Sequence, residues 1–288
     1  MPSLKAIRKR VTSVRNTQKI TKAMKMVSAA KLRRAQDAAV AARPYAQKLT
    51  ALLANVAARV GTSANPLLQG REEIRTIHAV LITADRGLCG GYNSNLIRKT
   101  EAFLREHGRD KVRLTFVGRR GFDYFKRRPV NIADKHINLF GGPQLSLAQQ
   151  LAQQFIREYV EGETDAVYLI YNQFRSALVQ TPVAEQLLPV PAGVDAAANA
   201  DSTDYLYEPD AGQLLDNLTR RYVTVLVHRA FLEAVASEHG ARMTAMDSAT
   251  SNASEMIDRL TLQMNRARQA GITKELMEIV GGAEALNA

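Results

Sequence analysis

The last proline of the chain is Pro209, and the roughly 79 residues after it hold a heptad pattern almost to the end. Leu218, Tyr222, Val225, Leu232, Ala236, Met243, Met246, Ala253, Ile257, Leu260, Met264 and Ala267 fall on one 3-4 spacing, interrupted by Arg229, His239 and Thr250. At a rise of 1.5 Å per residue such a helix is on the order of 100 Å long. No globular domain of ordinary diameter contains a rod of that length. The pattern therefore predicts a rod that leaves its domain and needs a second apolar seam.

The other end of the chain offers one. Between Ser3 and Arg43 there is neither Pro nor Gly. Leu4, Ile7, Val11 and Val14 form an a/d stripe, and Ile20, Met24, Val27 and Ala30 form a second, out of phase with the first. The phase change falls across residues 16–19, where the expected seam position is Gln18, and predicts a local change in winding. Pro44 is a candidate kink, after which Leu49, Leu52, Leu53 and Val56 resume the helix. Two shorter bundle helices are the alternative, but bundle helices usually run about 8–20 residues. An antiparallel coiled coil of the two termini fits better.

Charge sharpens this. The formal net charge is +11, and within residues 1–48 Asp37 is the sole acid among thirteen Lys and Arg. A basic helix of this length repels itself unless something acidic lies beside it: nucleic acid, anionic lipid or an acidic protein surface. No run of 18 apolar residues predicts a membrane-spanning helix. The basic start lacks the apolar core of a secretory signal, and an organelle transit peptide is the weaker reading because the heptads begin at Leu4. Cys89 is the one cysteine, which rules out an internal disulfide and a cysteine-based zinc site.

Between the rods the period changes. Residues 76–83, 112–117 and 166–171 read as buried strands, 130–137 as a candidate third strand in chain order, and 177–190 as an extended edge containing Pro182 and Pro189. Residues 92–107, 119–127 and 145–160 read as helices. The alternation predicts a Rossmann-like α/β domain with a small, mainly parallel sheet and helices on both faces. The predicted divisions are an N-terminal coiled-coil helix over 1–60, a globular domain over 61–209 and a C-terminal coiled-coil helix over 210–288. Asp210 and Gln213 resemble a capping box opening the last helix.

The most enzyme-like segment is ADRGLCGGYN, residues 84–93, in the strand-to-helix position where Gly-rich loops cradle phosphate. It is neither GxGxxG nor GxxxxGK[ST], so a tight crossing is the stronger reading. A nucleotide-binding α/β enzyme using residues 85–93 remains the alternative function, and a nucleic-acid-binding arm is a third. The scattered histidines form no catalytic pattern, and His239, on the seam, reads as a packing residue.

Four segments carry a resemblance: NTQKITKAMKMVSAAKLRRAQ (16–36), DRGLCGGYN (85–93), DYLYEPD (204–210) and ARQAGITKELMEIVGGAEAL (267–286). In order and over essentially the whole chain, they resemble the gamma subunits of F-type, proton-translocating ATP synthases of the bacterial type. The resemblance implies a central rotor shaft coupling rotation of the membrane c ring to conformational change in catalytic beta subunits, and hence ATP synthesis or hydrolysis to proton transport. It implies no catalytic residue, metal or cofactor in this chain. The implied partners are the alpha and beta subunits, the epsilon subunit and the c-subunit ring, with one copy per complex and no nucleic acid. The implied location is peripheral, on the cytoplasmic face of the bacterial inner membrane. By the same resemblance Met24, Lys25, Arg268 and Gln269 meet a beta subunit, the last two as a hydrogen-bonding catch. Tyr205, Tyr207 and Glu208 face the c ring. A start near Ser3 without a presequence, and a lone Cys89, imply a bacterial protein without thiol regulation.

Overall fold

The computed structural model describes residues 4–61, 65–139, 145–190 and 210–287. The elements are α1 (Leu4–Val60), β1 (Ile77–Ile82), α2 (Tyr92–His107), β2 (Val112–Val117), α3 (Arg119–Phe125), β3 (Asn131–His136), α4 (Leu145–Val160), β4 (Ala166–Phe174), β5 (Gln180–Leu188) and α5 (Ala211–Asn287). The chain forms two compact units, residues 1–27 with 243–288, and residues 28–242.

In the larger unit the sheet order is β3-β2-β1-β4-β5. β1 pairs in parallel with β2 and β4, β2 in parallel with β3, and β5 closes the edge antiparallel to β4. The sheet is thus mainly parallel, with the antiparallel strand at the edge where Pro182 costs no ladder bond on its open side. All six residues of β1 are buried, as a central strand covered on both faces requires. Alternation sorts them: Val80 and Ile82 pack with α4 residues Leu151 and Phe155, whereas Ile77, Ala79 and Leu81 pack with Leu96 and Phe103 of α2. α2 and α3 cover one face; α4 and α5 cover the other. α3 ends at Phe125, two residues short of the expected boundary, and β4 runs three residues longer.

α5 does more here than pair with another helix. Leu215, Thr219, Val223, Val227, Ala230, Ala234, Ser237 and Ala241 are all buried. They recur every three or four residues, a second stripe beside the heptad seam. Val223, Val227, Ala230 and Ala234 lie in the same core as β4 and α4. The expectation of a rod free of its domain is corrected for this stretch: α5 is part of the domain's hydrophobic core. His239 is half-buried; burial, with the charges of Arg242 and Lys31, pushes its imidazole down to about 4.

One polar cluster is built into the core. His78 on β1 is fully buried; its Nδ1 lies 2.7 Å from Glu158 and its Nε2 2.8 Å from Thr115. Glu158 on α4 also accepts hydrogen bonds from Arg113 at 2.8 Å and Gln154 at 2.8 Å. Burial alone would raise the Glu158 carboxyl; the hydrogen bonds from His78 and Gln154 and the charge of Arg113 outweigh it and bring it down to about 2.

In the smaller unit α1 and α5 run antiparallel. Thr21 and Thr250 share a 2.7 Å hydroxyl hydrogen bond, and Lys25 reaches Asp247 at 2.6 Å. Four residues forward in α1 is three residues back in α5. The expected phase change is not present. Ile20 and Val27 of the proposed second stripe are 59% and 57% exposed. The first stripe instead continues at unbroken heptad spacing through Gln18, Thr21, Lys25, Ser28, Leu32 and Ala35. Thr21, Ser28, Leu32 and Ala35 are buried, and Gln18 and Lys25 are half-buried. Polar residues occupy the seam because two of them find partners across it, so the helix has no reason to rotate its apolar neighbours inward. α1 likewise continues through Pro44 as one helix.

Candidate functional site

The glycine-rich loop lies at the carboxyl end of β1, beside the point where the strand order reverses between β1 and β4. Open α/β sheets bind ligands in that crevice. Here the backbone and side chains of the loop are committed to one another. Asp85 Oδ1 accepts from the amides of Arg119 and Asn138, both at 2.9 Å, and Asn93 Oδ1 accepts from the amide of Ala84 at 3.0 Å. Asn93 Nδ2 donates to Cys89 Sγ at 3.2 Å, and burial pushes that thiol up. Gly90 and Leu88 take left-handed conformations, with φ of 55° and 62°.

The crevice itself is filled by α5. Tyr92 donates its hydroxyl proton to Ala234 O at 3.1 Å, Ser237 Oγ donates to Asn172 O at 2.9 Å, and Arg242 donates to Gly87 O at 3.4 Å. A Cβ on Gly240 would stand 3.3 Å from Ala177 Cα, so the helix lies close against the turn after β4. This sheet uses its switch point to hold a helix. The loop is a clamp between β1, α3 and α5, which disfavours the nucleotide-binding enzyme.

The residues carried by the resemblance fall in three places. Met24 and Lys25 are half-buried on α1, with Lys25 engaged by Asp247. Arg268 and Gln269 are exposed on α5, 21 residues beyond Asp247 and so about 30 Å farther along the helix axis. The structure does not bring the two pairs together. Tyr205, Tyr207 and Glu208 lie outside the described residues.

Beyond them is a surface that the heptad analysis missed. α5 has 77 residues and α1 has 57, and every residue from Arg268 to Gly282 is exposed. Ile272, Leu276, Met277, Ile279 and Val280 are 51–72% exposed. The length difference between the two helical patterns was the available signal: α1 is used up before α5 ends, so the last turns have no seam among the described residues. Five large apolar side chains on an unpartnered helix end mark a contact surface.

The family model described as "ATP synthase" matches residues 3–286. The ATP synthase gamma chain of Anaeromyxobacter sp. (strain Fw109-5) is 52% identical over 291 residues, covering 99% of this chain and all of that one. The gamma chain of Moorella thermoacetica is 51% identical, with coverage of 99% and 100%. Among solved structures, a central stalk and c-ring chain of the Tetrahymena thermophila mitochondrial ATP synthase matches with a TM-score of 0.60 and 26% identity, covering 80% of this chain and 99% of that one. A chain of the Euglena gracilis mitochondrial ATP synthase matches in fold with a TM-score of 0.66 at 20% identity, covering 98% and 94%.

Proposed function

The chain belongs to the ATP synthase gamma-chain family, and from that premise we propose how its parts serve the central rotor shaft of the enzyme. The role is mechanical. The shaft biases conformational states of other subunits by touching them differently at different angles. The division of labour we propose is by element: helix 1–60, foot domain 61–209 and helix 210–288.

The observation that carries the contact reading is the unpaired end of α5. A helix end exposing Ile272, Leu276, Met277, Ile279 and Val280 is covered when the surrounding alpha and beta subunits enclose it. Arg268 and Gln269 stand at the start of that run with their side chains in solvent, available to a beta-subunit loop. Lys25 is already paired with Asp247, so its role toward beta is to present, with exposed Lys22, a basic face to acidic loops. The foot meets the epsilon subunit and, through Tyr205, Tyr207 and Glu208, the c ring. The catalytic groups belong to the beta subunits, and this chain holds none. It works as a single copy, peripheral to the cytoplasmic face of the bacterial inner membrane, in a complex that couples ATP turnover to proton transport. No described helix is long and apolar enough to cross a membrane.

The test is the double substitution Arg268→Ala/Gln269→Ala in membrane vesicles. A charge-assisted hydrogen bond contributes about 1.5–3 kcal/mol. ATP synthesis and ATP-driven pumping per assembled complex are expected to fall while the foot domain stays folded. Unchanged synthesis per complex withdraws the catch. A cysteine at position 205 that cross-links to alpha or beta rather than to c reverses the assigned orientation.

A further inference from the structure

Tyr45 of α1, the outer face of α4 and the α5 segment 220–225 line an open groove of about 840 Å³. Its apolar lining includes Tyr45, Leu145, Ile156, Val160 and Val225. Tyr45, Leu145 and Val160 are 55%, 48% and 45% exposed, three large apolar side chains gathered in one concavity. A neighbouring cavity of about 970 Å³ shares Tyr45, Leu145 and Val225 and extends the apolar lining through Ala42, Ala46 and Leu232. Both volumes lie in the range of about 300–1,000 Å³ usual for single small ligands.

The charge along the groove is one-sided. Arg157 of α4 and Arg220 and Arg221 of α5 line it, against the single carboxylate of Glu161. Arg220 is engaged by Asp216 at 2.8 Å. Arg157 and Arg221 make no side-chain hydrogen bond or ion pair among the described residues. Guanidinium groups without partners above an apolar floor match an anionic head attached to a hydrocarbon body.

We propose that this groove binds a fatty carboxylate, its head held by Arg157 and Arg221 and its chain lying over Val160, Leu145 and Val225 toward Ala42 and Ala46. The site lies partly on the foot domain that the proposed function sets against the epsilon subunit. It uses none of the residues assigned to the beta subunits or the c ring.

Calorimetric titration of the full chain with monomeric dodecanoate, below its micelle concentration, is the test. Saturable binding at one site is expected, weaker for octanoate and absent for dodecylamine. Arg157→Gln and Arg221→Gln should each weaken dodecanoate about tenfold, the loss of one charge-assisted hydrogen bond, with circular dichroism unchanged. Val225→Phe fills the floor and should abolish the advantage of dodecanoate over octanoate. Binding of dodecylamine as tight as dodecanoate, or affinity unchanged in both arginine variants, overturns the proposal. So does capture of an acidic helical peptide or of phosphatidylglycerol vesicles by a chain that fails to bind dodecanoate. The first outcome would make the face a protein contact and the second a membrane contact.

Discussion

Glu158→Gln is the substitution whose consequence the structure sets most tightly. The carboxylate sits with 6% of its side chain exposed, between the rings and guanidinium of His78 and Arg113. A carboxyl brought from 4.5 to about 2 by folding corresponds to about 3 kcal/mol of pH-dependent stability. Because the folded value is depressed, the stabilisation is fully present above the unfolded value near 4.5 and is lost as pH falls toward about 2. Glutamine keeps the shape but removes the charge, so it imitates the protonated wild type. Wild type should exceed the variant by about 3 kcal/mol at pH 7, a magnitude also typical of leaving a buried ion-pair partner alone. The gap should narrow below pH 4.5 and close near pH 2. Urea unfolding of the full chain reports this, followed by the near-UV signal of buried Tyr159 and Tyr171, which lie in the same core as α4. A gap that is already below about 1 kcal/mol at pH 7, or that stays constant from pH 7 to pH 3, would refute the reasoning.

Gly118→Ala should destabilise the α/β unit by about 3 kcal/mol or more: φ is +97° and the new Cβ would stand 2.0 Å from Thr83 O, a backbone atom that cannot step aside; thermal unfolding with a drop of under about 1 kcal/mol would contradict this. Lys25→Met should change the stability of the helical pair by less than about 1 kcal/mol, since neither partner of the Asp247 ion pair is buried, and a larger loss in urea unfolding would show that the pair sets the register. Thr250→Val should cost about 0.5–1.5 kcal/mol by removing the cross-seam hydrogen bond, the Thr21 hydroxyl keeping its bond to Gln18 O at 3.0 Å; a double-mutant cycle of Thr21→Val and Thr250→Val with no coupling would refute the layer. Micromolar binding of Mg-ATP to the full chain, abolished by substitution of Gly90 and Gly91, would overturn the reading of the loop as a clamp.

The sequence by itself determined the period of every element and therefore its class. The boundaries of α2, β2 and α4 fall where the patterns put them, because a run such as Val112–Val117 meets a glycine or a polar break at each end. It also determined that two long helices must pair, since heptads sustained over that length have no other way to bury a seam. Which residues face which partner was decided only by the tertiary structure. Ile20 and Val27 are as apolar as Ile7 and Val11, yet they face solvent, because Thr21 finds Thr250 and Lys25 finds Asp247 across a gap of more than 200 residues in sequence. The second stripe of α5 was equally silent. Val223, Val227 and Ala234 are read as a buried face only once the sheet they cover is in place. The loop at 84–93 had the composition of a phosphate cradle and the position of one. The helix that fills its crevice comes from about 150 residues farther along the chain, and local sequence carries no record of so distant a neighbour.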